Sequence, residues 1–383
     1  MSTSFDVIIA GIGAMGSATL RHLSAQGLRV AGIDPFPPGH DQGSSHGDTR
    51  IIRKAYFLHP DYVPLLHRSY HLWRKLETEI QQSLLHLTGL LCIGEEGSSF
   101  MTGLQRCFDV NQLPHERLTA AETRARYPAF NIPDNHLVYF DPEGGYLRPE
   151  ACIRAQTQLA TQHGATLFTG ERLLTWEPDG TGVRLTTNQR VLTAQKLILT
   201  TGAWVTPEFA KLGIPLKVRR KVLFWHQLND PATFTNTPVW IWKSQGSDFY
   251  GFPTLDNTTM KSAEDSGGTY LDQPEDRDFN IHPDDDANLT PFLARAFPNK
   301  IGPVQHGKTC LYTDAADKNF LIGFHPEHPQ VLLASCCSGH GFKLSIAIGE
   351  ILGNAITTDQ IAPEAAFLSL SSKEGGHSCP PQS

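Results

Sequence analysis

The chain opens with a glycine-rich turn between an apolar run and a helical pattern, and this feature constrains its fold more than any other. The run Phe5–Ala10 reads as a buried parallel strand, Ala14–Ala25 has helical periodicity, and Leu28–Ile33 reads as a second strand. Residues 11–16 between the first two spell GIGAMG, a GxGxxG pattern in the strand–turn–helix context that this pattern requires. The N-terminus is therefore predicted to be a βαβ unit of an α/β domain that binds a dinucleotide.

Each residue of the turn has its own physical reason. Gly11 permits the tight turn, Gly13 lets a pyrophosphate approach the backbone, and Gly16 lets the helix and strand pack closely. The helix N-terminus then offers free N–H groups and a partial positive charge to phosphate. Asp34 follows the second strand, where a carboxylate binds ribose hydroxyls and disfavours the 2′-phosphate of NADP.

A late segment bears on the choice between FAD and NAD, which the glycine turn does not decide. The apolar strand predicted at Lys196–Thr200 runs into Thr201 and Gly202. A hydrophobic strand that ends in Thr-Gly is common in flavoproteins, where the chain returns to the nucleotide-binding domain. This segment favours FAD.

Length and composition limit the class of protein. A chain of 383 residues exceeds the ~250–300 at which a single core stops growing, so two joined domains are predicted. A net charge of −7 argues against a nucleic-acid binder, and no apolar stretch approaches the ~18–20 residues of a membrane span. The chain start lacks the pattern of a signal peptide. The seven cysteines include no CxxC pair, so no metal site is predicted and a cytoplasmic location is expected.

The rest of the chain is predicted to contain an antiparallel sheet, two loops and several further helices and strands. From 218 to about 270, alternating and aromatic runs predict an antiparallel sheet, and the acidic run 272–288 is expected to be a solvated loop. Residues 34–49 are rich in Pro, Gly and Ser and predict another loop. Further elements are predicted as helices at Tyr62–Gln81, Pro149–Gln162 and Phe342–Asn354, and as strands at Leu87–Ile93, Leu137–Phe140, Thr166–Phe168, Gly182–Thr187 and Val331–Ala334.

Three more segments carry a family resemblance: GDTRIIR at 47–53, CLYT at 310–313 and SGHGFK at 338–343. YVPL at 62–65 and YGFP at 250–253 also match. Together with the glycine turn and in the same order, these motifs resemble the family of monomeric sarcosine oxidase and N-methyltryptophan oxidase over about residues 5–367. Several separated motifs in register are far more specific than any one of them.

The resemblance implies a two-domain flavoenzyme. The expected fold is α/β, with a Rossmann-like FAD-binding domain of the glutathione-reductase and D-amino-acid-oxidase (DAAO) type. It is joined to an α+β substrate domain on a mixed, largely antiparallel sheet. The FAD-binding domain is expected at 1–88, 147–217 and 308–368, the substrate domain at 89–146 and 218–307, and a flexible tail at 369–383. The expected protein is a monomer that oxidises the secondary amine of a small amino-acid derivative with a free carboxylate and reduces O2 to hydrogen peroxide.

The resemblance also assigns roles to individual residues. It implies a covalent bond from FAD to the sulfur of Cys310, a substrate-carboxylate clamp formed by Arg53 and Lys343, and a lysine, Lys261, that assists the reaction with oxygen. Further FAD contacts are expected from Ser44, His46, Thr49, Arg50, Gly339, Gly341 and Lys343, and further catalytic or substrate contacts from Arg50, Tyr250, Asp265 and His340.

One position departs from the sarcosine oxidase pattern. Those enzymes place a histidine four residues after the lysine, whereas this chain has Asp265. An acidic side chain there favours a substrate with extra hydroxyls or positive charge, as in the related fructosyl amino acid oxidases, although a shifted loop would turn Asp265 to solvent. Three alternatives therefore stay open: a fructosyl amino acid oxidase, a flavin dehydrogenase with another electron acceptor, and a non-catalytic FAD-binding redox sensor.

Overall fold

The computed structural model describes residues 4–56, 59–244 and 246–370. In chain order its strands are β1 (Ser4–Ala10), β2 (Val30–Asp34), β3 (Arg50–Ile52), β4 (Leu85–His86), β5 (Leu90–Glu95), β6 (Glu116–Thr119), β7 (His136–Asp141), β8 (Gly145–Leu147), β9 (Thr166–Thr169), β10 (Leu173–Asp179), β11 (Gly182–Thr187), β12 (Val191–Leu199), β13 (Lys217–Leu228), β14 (Val239–Ser244), β15 (Ser247–Gly251), β16 (Thr259–Glu264), β17 (Thr269–Leu271), β18 (Ile301–Asp314), β19 (Leu321–Phe324) and β20 (Val331–Ser335). The helices are α1 (Ala14–Ala25), α2 (Tyr62–Ile80), α3 (Ser99–Val110), α4 (Ala120–Arg126), α5 (Pro149–Gln162), α6 (Thr206–Lys211), α7 (Leu289–Ala296) and α8 (Ser345–Thr358).

The first sheet is the predicted nucleotide-binding sheet, in the order β10-β11-β12-β1-β2-β9. Strand β1 lies between β2 and β12 and is parallel to both, with Ala10 opposite Ile33 and Leu199. The carboxyl ends of these strands therefore meet at one edge, where the glycine turn begins. Helices α1, α5 and α8 pack together beside this sheet, and the prediction of an α/β nucleotide-binding fold is confirmed.

The second sheet has the order β17-β13-β16-β15-β14-β5-β7-β6, with β18 paired along β13. Its pairs are antiparallel except β5 with β14, so the prediction of a mixed, largely antiparallel sheet is confirmed. Strand β20 also joins the first sheet beside β12, with β19 paired to β20, and β3, β8 and β4 form a small third sheet. Strand β18 crosses the expected boundary between 307 and 308, and the exact domain limits stay a prediction.

Two expectations about chain segments need correction. The acidic run 272–288 is not simply a solvated loop, because it contains short 3-10 turns and Asp285 forms an ion pair of 2.6 Å with the buried Arg220. The expected tail begins two residues too early, since Ser369 bridges to Ile322 and Leu370 is buried. The remainder of that tail, 371–383, lies outside the described residues. Within the described ranges, no helix has the length and apolar character of a membrane span.

Candidate active site

A cavity of about 780 Å³ extends from the glycine turn of the first sheet to the face of the second. Its volume lies within the ~300–1,000 Å³ typical of small-molecule and cofactor sites. Many of the residues predicted from the sequence line it: Gly11, Gly13, Asp34, Ser44, Arg50, Arg53, Tyr250, Asp265, Gly339, His340, Gly341 and Lys343. The fold therefore brings residues that are more than 300 positions apart into one wall.

At the first-sheet end the glycines have the geometry expected of a nucleotide site. Gly11 has a φ of +88°, and a Cβ there would lie 2.5 Å from the carbonyl oxygen of Thr200. A Cβ on Gly16 would lie 1.9 Å from the carbonyl oxygen of Gly11, so only glycine allows this close packing. A Cβ on Gly13 would meet nothing within 4 Å, which leaves open space beside the helix N-terminus for a phosphate group.

The Asp34 carboxylate lies beside this turn and holds it in place. Its two oxygens accept hydrogen bonds from the backbone N–H of Ile12 at 2.7 Å and of Phe36 at 2.9 Å. An ionised carboxylate has about four acceptor sites, so the side chain retains capacity for ribose hydroxyls. The residues at this end of the cavity thus fit the adenosine diphosphate part of FAD.

The loop that precedes β3 surrounds the candidate attachment cysteine. Cys310 is fully buried, and its sulfur lies 3.6 Å from both the carbonyl oxygen of Ser44 and a guanidinium nitrogen of Arg50. Arg50 also donates 2.9 Å and 3.1 Å hydrogen bonds to the carbonyl oxygens of Ser44 and Thr49. Because Ser44 and Arg50 line the cavity, the Cys310 sulfur lies one side chain behind its wall.

Lys261 lies behind the same loop. Its ammonium donates to the carbonyl oxygens of Gly47 at 2.5 Å and Thr49 at 2.8 Å, and to the Thr49 hydroxyl at 3.1 Å. The rings of Phe252 and Trp225 lie 4.6 Å and 5.6 Å from its nitrogen. Burial, with a smaller contribution from Arg50, lowers the pKa of Lys261 well below its usual value. Three acceptors match the three N–H donors of the protonated form, and these hydrogen bonds oppose the effect of burial by favouring the charged lysine.

The second-sheet end of the cavity contains a pair of buried cations. Arg53 follows β3 and is 8% exposed, while Lys343 begins the approach to α8 and is 5% exposed. Trp73 donates a 3.1 Å hydrogen bond to the Lys343 carbonyl, which fixes the backbone there. Burial, and then the positive charge of Arg53, lower the pKa of Lys343 to about 7. Two cations in a low-dielectric wall form a strong site for an anion.

Asp265 lines the same cavity, and its charge acts on Lys343. Its carboxylate accepts a 3.0 Å hydrogen bond from the Tyr312 hydroxyl, and its backbone N–H donates to the Asp248 carbonyl. The Lys221 ammonium donates to the carbonyl oxygens of the next two residues and so anchors the turn. Asp265 thus lines the cavity from an anchored turn, and the residue is also exposed to solvent.

The two predicted histidines are held differently. His46 is 1% exposed, and burial, followed by nearby cations led by Arg50, keeps its pKa well below the usual value. His340 lines the cavity and contacts the Tyr56 hydroxyl through Nδ1 and the Lys318 carbonyl through Nε2, at 2.8 Å. Burial and the charge of Lys343 lower the pKa of His340 to about 3. Both rings are therefore uncharged near neutral pH.

Two tyrosines at this site were not predicted as functional residues from the sequence. Tyr312 contacts Asp265, and Tyr56 packs against both buried cations. Each lies close to a recognised motif, Tyr312 within CLYT and Tyr56 three residues after Arg53. Longer motif windows would have included both, but their partners are distant in sequence and become visible only in the fold.

A nucleotide-binding sheet, a long cavity and a buried thiol next to it define a dinucleotide-dependent oxidoreductase, and comparison with known proteins agrees. The model of the FAD-dependent oxidoreductase family matches residues 6–355, and the chain belongs to this family. It is 37% identical to the monomeric sarcosine oxidase of Streptomyces avermitilis, covering 94% of this chain and 96% of that protein. It is 33% identical to the N-methyl-L-tryptophan oxidase of Salmonella enteritidis, covering 91% and 93%.

Solved structures with the same fold are more distant in sequence. The open form of NikD, described as an unusual amino acid oxidase essential for nikkomycin biosynthesis, has a TM-score of 0.86 at 23% identity and covers 96% of this chain and 98% of that chain. The fructosyl amine:oxygen oxidoreductase Amadoriase I of Aspergillus fumigatus has a TM-score of 0.79 at 19% identity, with 96% and 90% covered. These likenesses establish the fold.

Proposed function

We propose that the protein is an FAD-dependent oxidase of N-substituted amino acids of the sarcosine and N-methyl amino acid type. The oxidation converts the carbon–nitrogen bond of a secondary amine to an imine and reduces O2 to hydrogen peroxide. The observation that carries this proposal is the pair of buried cations, Arg53 and Lys343, at the end of a cavity that begins at the glycine turn. The names of the curated relatives support the same substrate class.

The side chains of the cavity position and polarise the substrate. Arg53 holds the substrate carboxylate with its planar fork, and Lys343 adds a point charge on the same group. Gripping one end of a small molecule restricts the orientation of its amine and of the carbon beside it. Bound FAD supplies the electron acceptor for that carbon–nitrogen bond. The residues suited to hold FAD are those of the glycine turn, Asp34, the loop 44–50 and the segment 339–343.

We expect the affinity for the substrate carboxylate to fall as the pH rises through about 7. A lysine with a depressed pKa is charged below that pKa and neutral above it, so the Lys343 charge is present at pH 6 and is lost at higher pH in the free enzyme. The dissociation constant of acetate, followed by its perturbation of the flavin absorption band from pH 6 to 9, checks this expectation. Lys343→Met should flatten the profile, and an unchanged profile in that variant would assign the dependence to another group.

We also propose that FAD is linked covalently through Cys310. The proposal rests on the burial of this thiol between Ser44 and Arg50, which line the cavity, and on the CLYT motif. Denatured and precipitated wild-type protein should keep its yellow colour, whereas Cys310→Ser should release its flavin into the supernatant. Cys336→Ser is the matched control, because Cys336 is also buried and near the cavity. Release of flavin from the wild type would contradict the bond.

Asp265 favours a second candidate function, oxidation of fructosyl amino acids. Its carboxylate is anchored by Tyr312 and lines the cavity together with Arg53 and Lys343. A carboxylate in that position accepts hydrogen bonds from the hydroxyls of a sugar attached to nitrogen. Amadoriase I, one of the structural neighbours, is named as a fructosyl amine oxidoreductase.

A peroxide-coupled assay of the purified protein separates these functions. One set of substrates is sarcosine, N-methyltryptophan and other N-methyl amino acids, and the other is fructosyl-glycine, fructosyl-valine and fructosyl-lysine. We expect turnover of the first set. Turnover of the second set alone would identify a deglycating oxidase, with Asp265 as a substrate contact. Anaerobic bleaching of the flavin without peroxide formation in air would indicate a dehydrogenase, and no bleaching by either set would favour a redox sensor.

Two further proposals concern the oligomeric state of the enzyme and its cellular location. We propose that it acts as a monomer, as the names of the curated sarcosine oxidases state for those proteins. We also propose a reducing, cytoplasmic setting. The free thiols Cys92, Cys107, Cys152, Cys310, Cys336 and Cys337 among the described residues support it. Sedimentation analysis of the purified holoenzyme tests the first proposal.

A further inference from the structure

One aromatic ring contacts both cations of the carboxylate clamp. The guanidinium carbon of Arg53 lies 5.4 Å from the centroid of the Tyr56 ring, and the ammonium nitrogen of Lys343 lies 5.2 Å from it. Tyr56 itself is 1% exposed and lies behind the residues that line the cavity in the described parts of the chain. It can therefore act on a bound substrate only through residues of the cavity wall, such as the two cations.

The hydroxyl of Tyr56 is also linked to Lys343 through hydrogen bonds of His340. The Nε2 of His340 lies 2.8 Å from the Lys318 carbonyl, which can only accept, so Nε2 carries the proton and Nδ1 is the acceptor. The Tyr56 hydroxyl therefore donates to Nδ1 of His340. The backbone carbonyl of His340 in turn accepts a 2.6 Å hydrogen bond from the Lys343 ammonium. The hydroxyl thus fixes the residue to which Lys343 is anchored.

The two contacts address a specific electrostatic problem. Two like charges in a buried wall repel each other and lose hydration, and the lowered pKa of Lys343 reflects both effects. The electron-rich face of an aromatic ring stabilises a nearby cation, most strongly where water is excluded. The Asp265 carboxylate also favours the charged form of Lys343. The ring adds to this support without a further full negative charge, which would compete with the substrate carboxylate for the cations.

We infer that Tyr56 is a positioning residue for substrate-carboxylate recognition: its ring supports Arg53 and Lys343 together, and its hydroxyl orients His340 beneath Lys343. The inference rests on the proposed function of these two cations as the carboxylate clamp. It concerns binding, so it does not depend on whether the nitrogen substituent is a methyl group or a sugar.

Paired variants of two neighbouring tyrosines test the inference. Tyr62 is the matched control, because it is fully buried and its ring centroid lies 4.9 Å from that of Tyr56. Its hydroxyl accepts a 3.1 Å hydrogen bond from the Phe320 N–H, and its ring lies edge-on to the His340 ring at 5.8 Å. Tyr56→Leu, Tyr56→Phe, Tyr62→Leu and Tyr62→Phe are compared as holoenzymes. The measurements are the acetate dissociation constant from the flavin spectrum between pH 6 and 9, and the melting temperature.

We expect Tyr56→Leu to weaken acetate binding about ten-fold, the order expected when desolvated contacts between a ring and two cations are lost. It should also move the pH at which affinity fades to a lower value, because Lys343 loses support for its charged form. Tyr56→Phe keeps the ring and should show a smaller loss. Tyr62→Phe keeps its ring and should leave both the affinity at pH 6 and the pH profile unchanged. Tyr62→Leu should lower the melting temperature and change both quantities far less than Tyr56→Leu does.

Several results would overturn the inference. Acetate affinity and a pH profile in Tyr56→Leu equal to those of Tyr62→Leu would show that Tyr56 has only a structural role. If Tyr56→Leu does not fold, Tyr56→Phe decides, and an unchanged affinity and pH profile in that variant would reject the role of the hydroxyl and the inference with it. Arg53→Met shows whether the clamp itself or only the role of Tyr56 has failed. If Arg53→Met also binds acetate with wild-type affinity, the proposed clamp is wrong. If Arg53→Met loses affinity and the Tyr56 variants do not, only the role of Tyr56 is wrong.

Discussion

Arg53→Met is expected to lower kcat/KM for an N-methyl amino acid by about 10²–10⁴, since two charged hydrogen bonds of about 1.5–3 kcal/mol each are lost. The guanidinium is buried in the cavity wall, where water does not replace the missing donors. A planar fork holds both carboxylate oxygens, which methionine of similar length cannot do. Steady-state kinetics with sarcosine at pH 7 measure the effect.

Two control variants define what such a loss means. Arg53→Lys retains a charge but not the fork, so it should recover part of the activity. Arg68→Met removes a surface arginine that pairs with Glu350 at 2.6 Å, outside the cavity, and should leave kcat/KM unchanged. A secondary amine without a carboxylate provides a further check. If Arg53→Met reduced turnover of that amine as strongly as turnover of sarcosine, the residue would have a structural role and no part in a clamp.

The elements that the sequence predicted best are those specified by local patterns. Helix α1 spans Ala14–Ala25 as predicted, because glycine precedes it, apolar residues recur at helical spacing within it and Gly27 follows closely. Strand β2 begins at Val30 where Leu28 was expected, a difference of two residues at an element end. Patterns of this kind need no knowledge of distant parts of the chain.

Elements that depend on distant partners were missed. Helices α3, α4, α6 and α7 were not predicted, although Ser98 and Thr119 cap the first two in standard ways. The acidic run resembles a solvated loop because its partner, Arg220, lies on β13 about 65 residues earlier. Charge composition predicts exposure on average, but one buried arginine is sufficient to order such a segment.

The residues of the candidate site also divide into those found from local motifs and those that depend on distant partners. Motif resemblance led to Arg53, Lys343 and Cys310, since family motifs preserve residue types at short spacing. The sequence left Asp265 undecided between cavity and solvent, because its direction depends on Tyr312 and on the turn held by Lys221. Tyr56 lay just outside the recognised motif, and its two partners, which follow β3 and precede α8, are 290 residues apart in the chain.

Lys261→Met is expected to slow reoxidation of the reduced flavin by O2 about 10²–10³-fold while changing flavin reduction by the substrate only slightly. The first electron passed to oxygen makes superoxide, and a buried cation stabilises this anion strongly where water is excluded. All three donors of Lys261 are occupied by Gly47 and Thr49, which keeps the charge beside the loop that surrounds Cys310. Reduction depends instead on the clamp at the other end of the site.

Rapid mixing measures the two half-reactions separately, anaerobic reduction by the substrate and reoxidation by oxygenated buffer. Lys196→Met is a suitable control, because Lys196 donates to the Ile356 carbonyl on the far side of the first sheet. Lys261→Arg should retain part of the oxygen reactivity, since it keeps the charge but not the three-donor geometry. Unchanged rates in both half-reactions of Lys261→Met would exclude a role in oxygen activation. Equal slowing of both would indicate that the loop 47–49 had lost its anchor, because a displaced Arg50 would disturb the whole cavity wall.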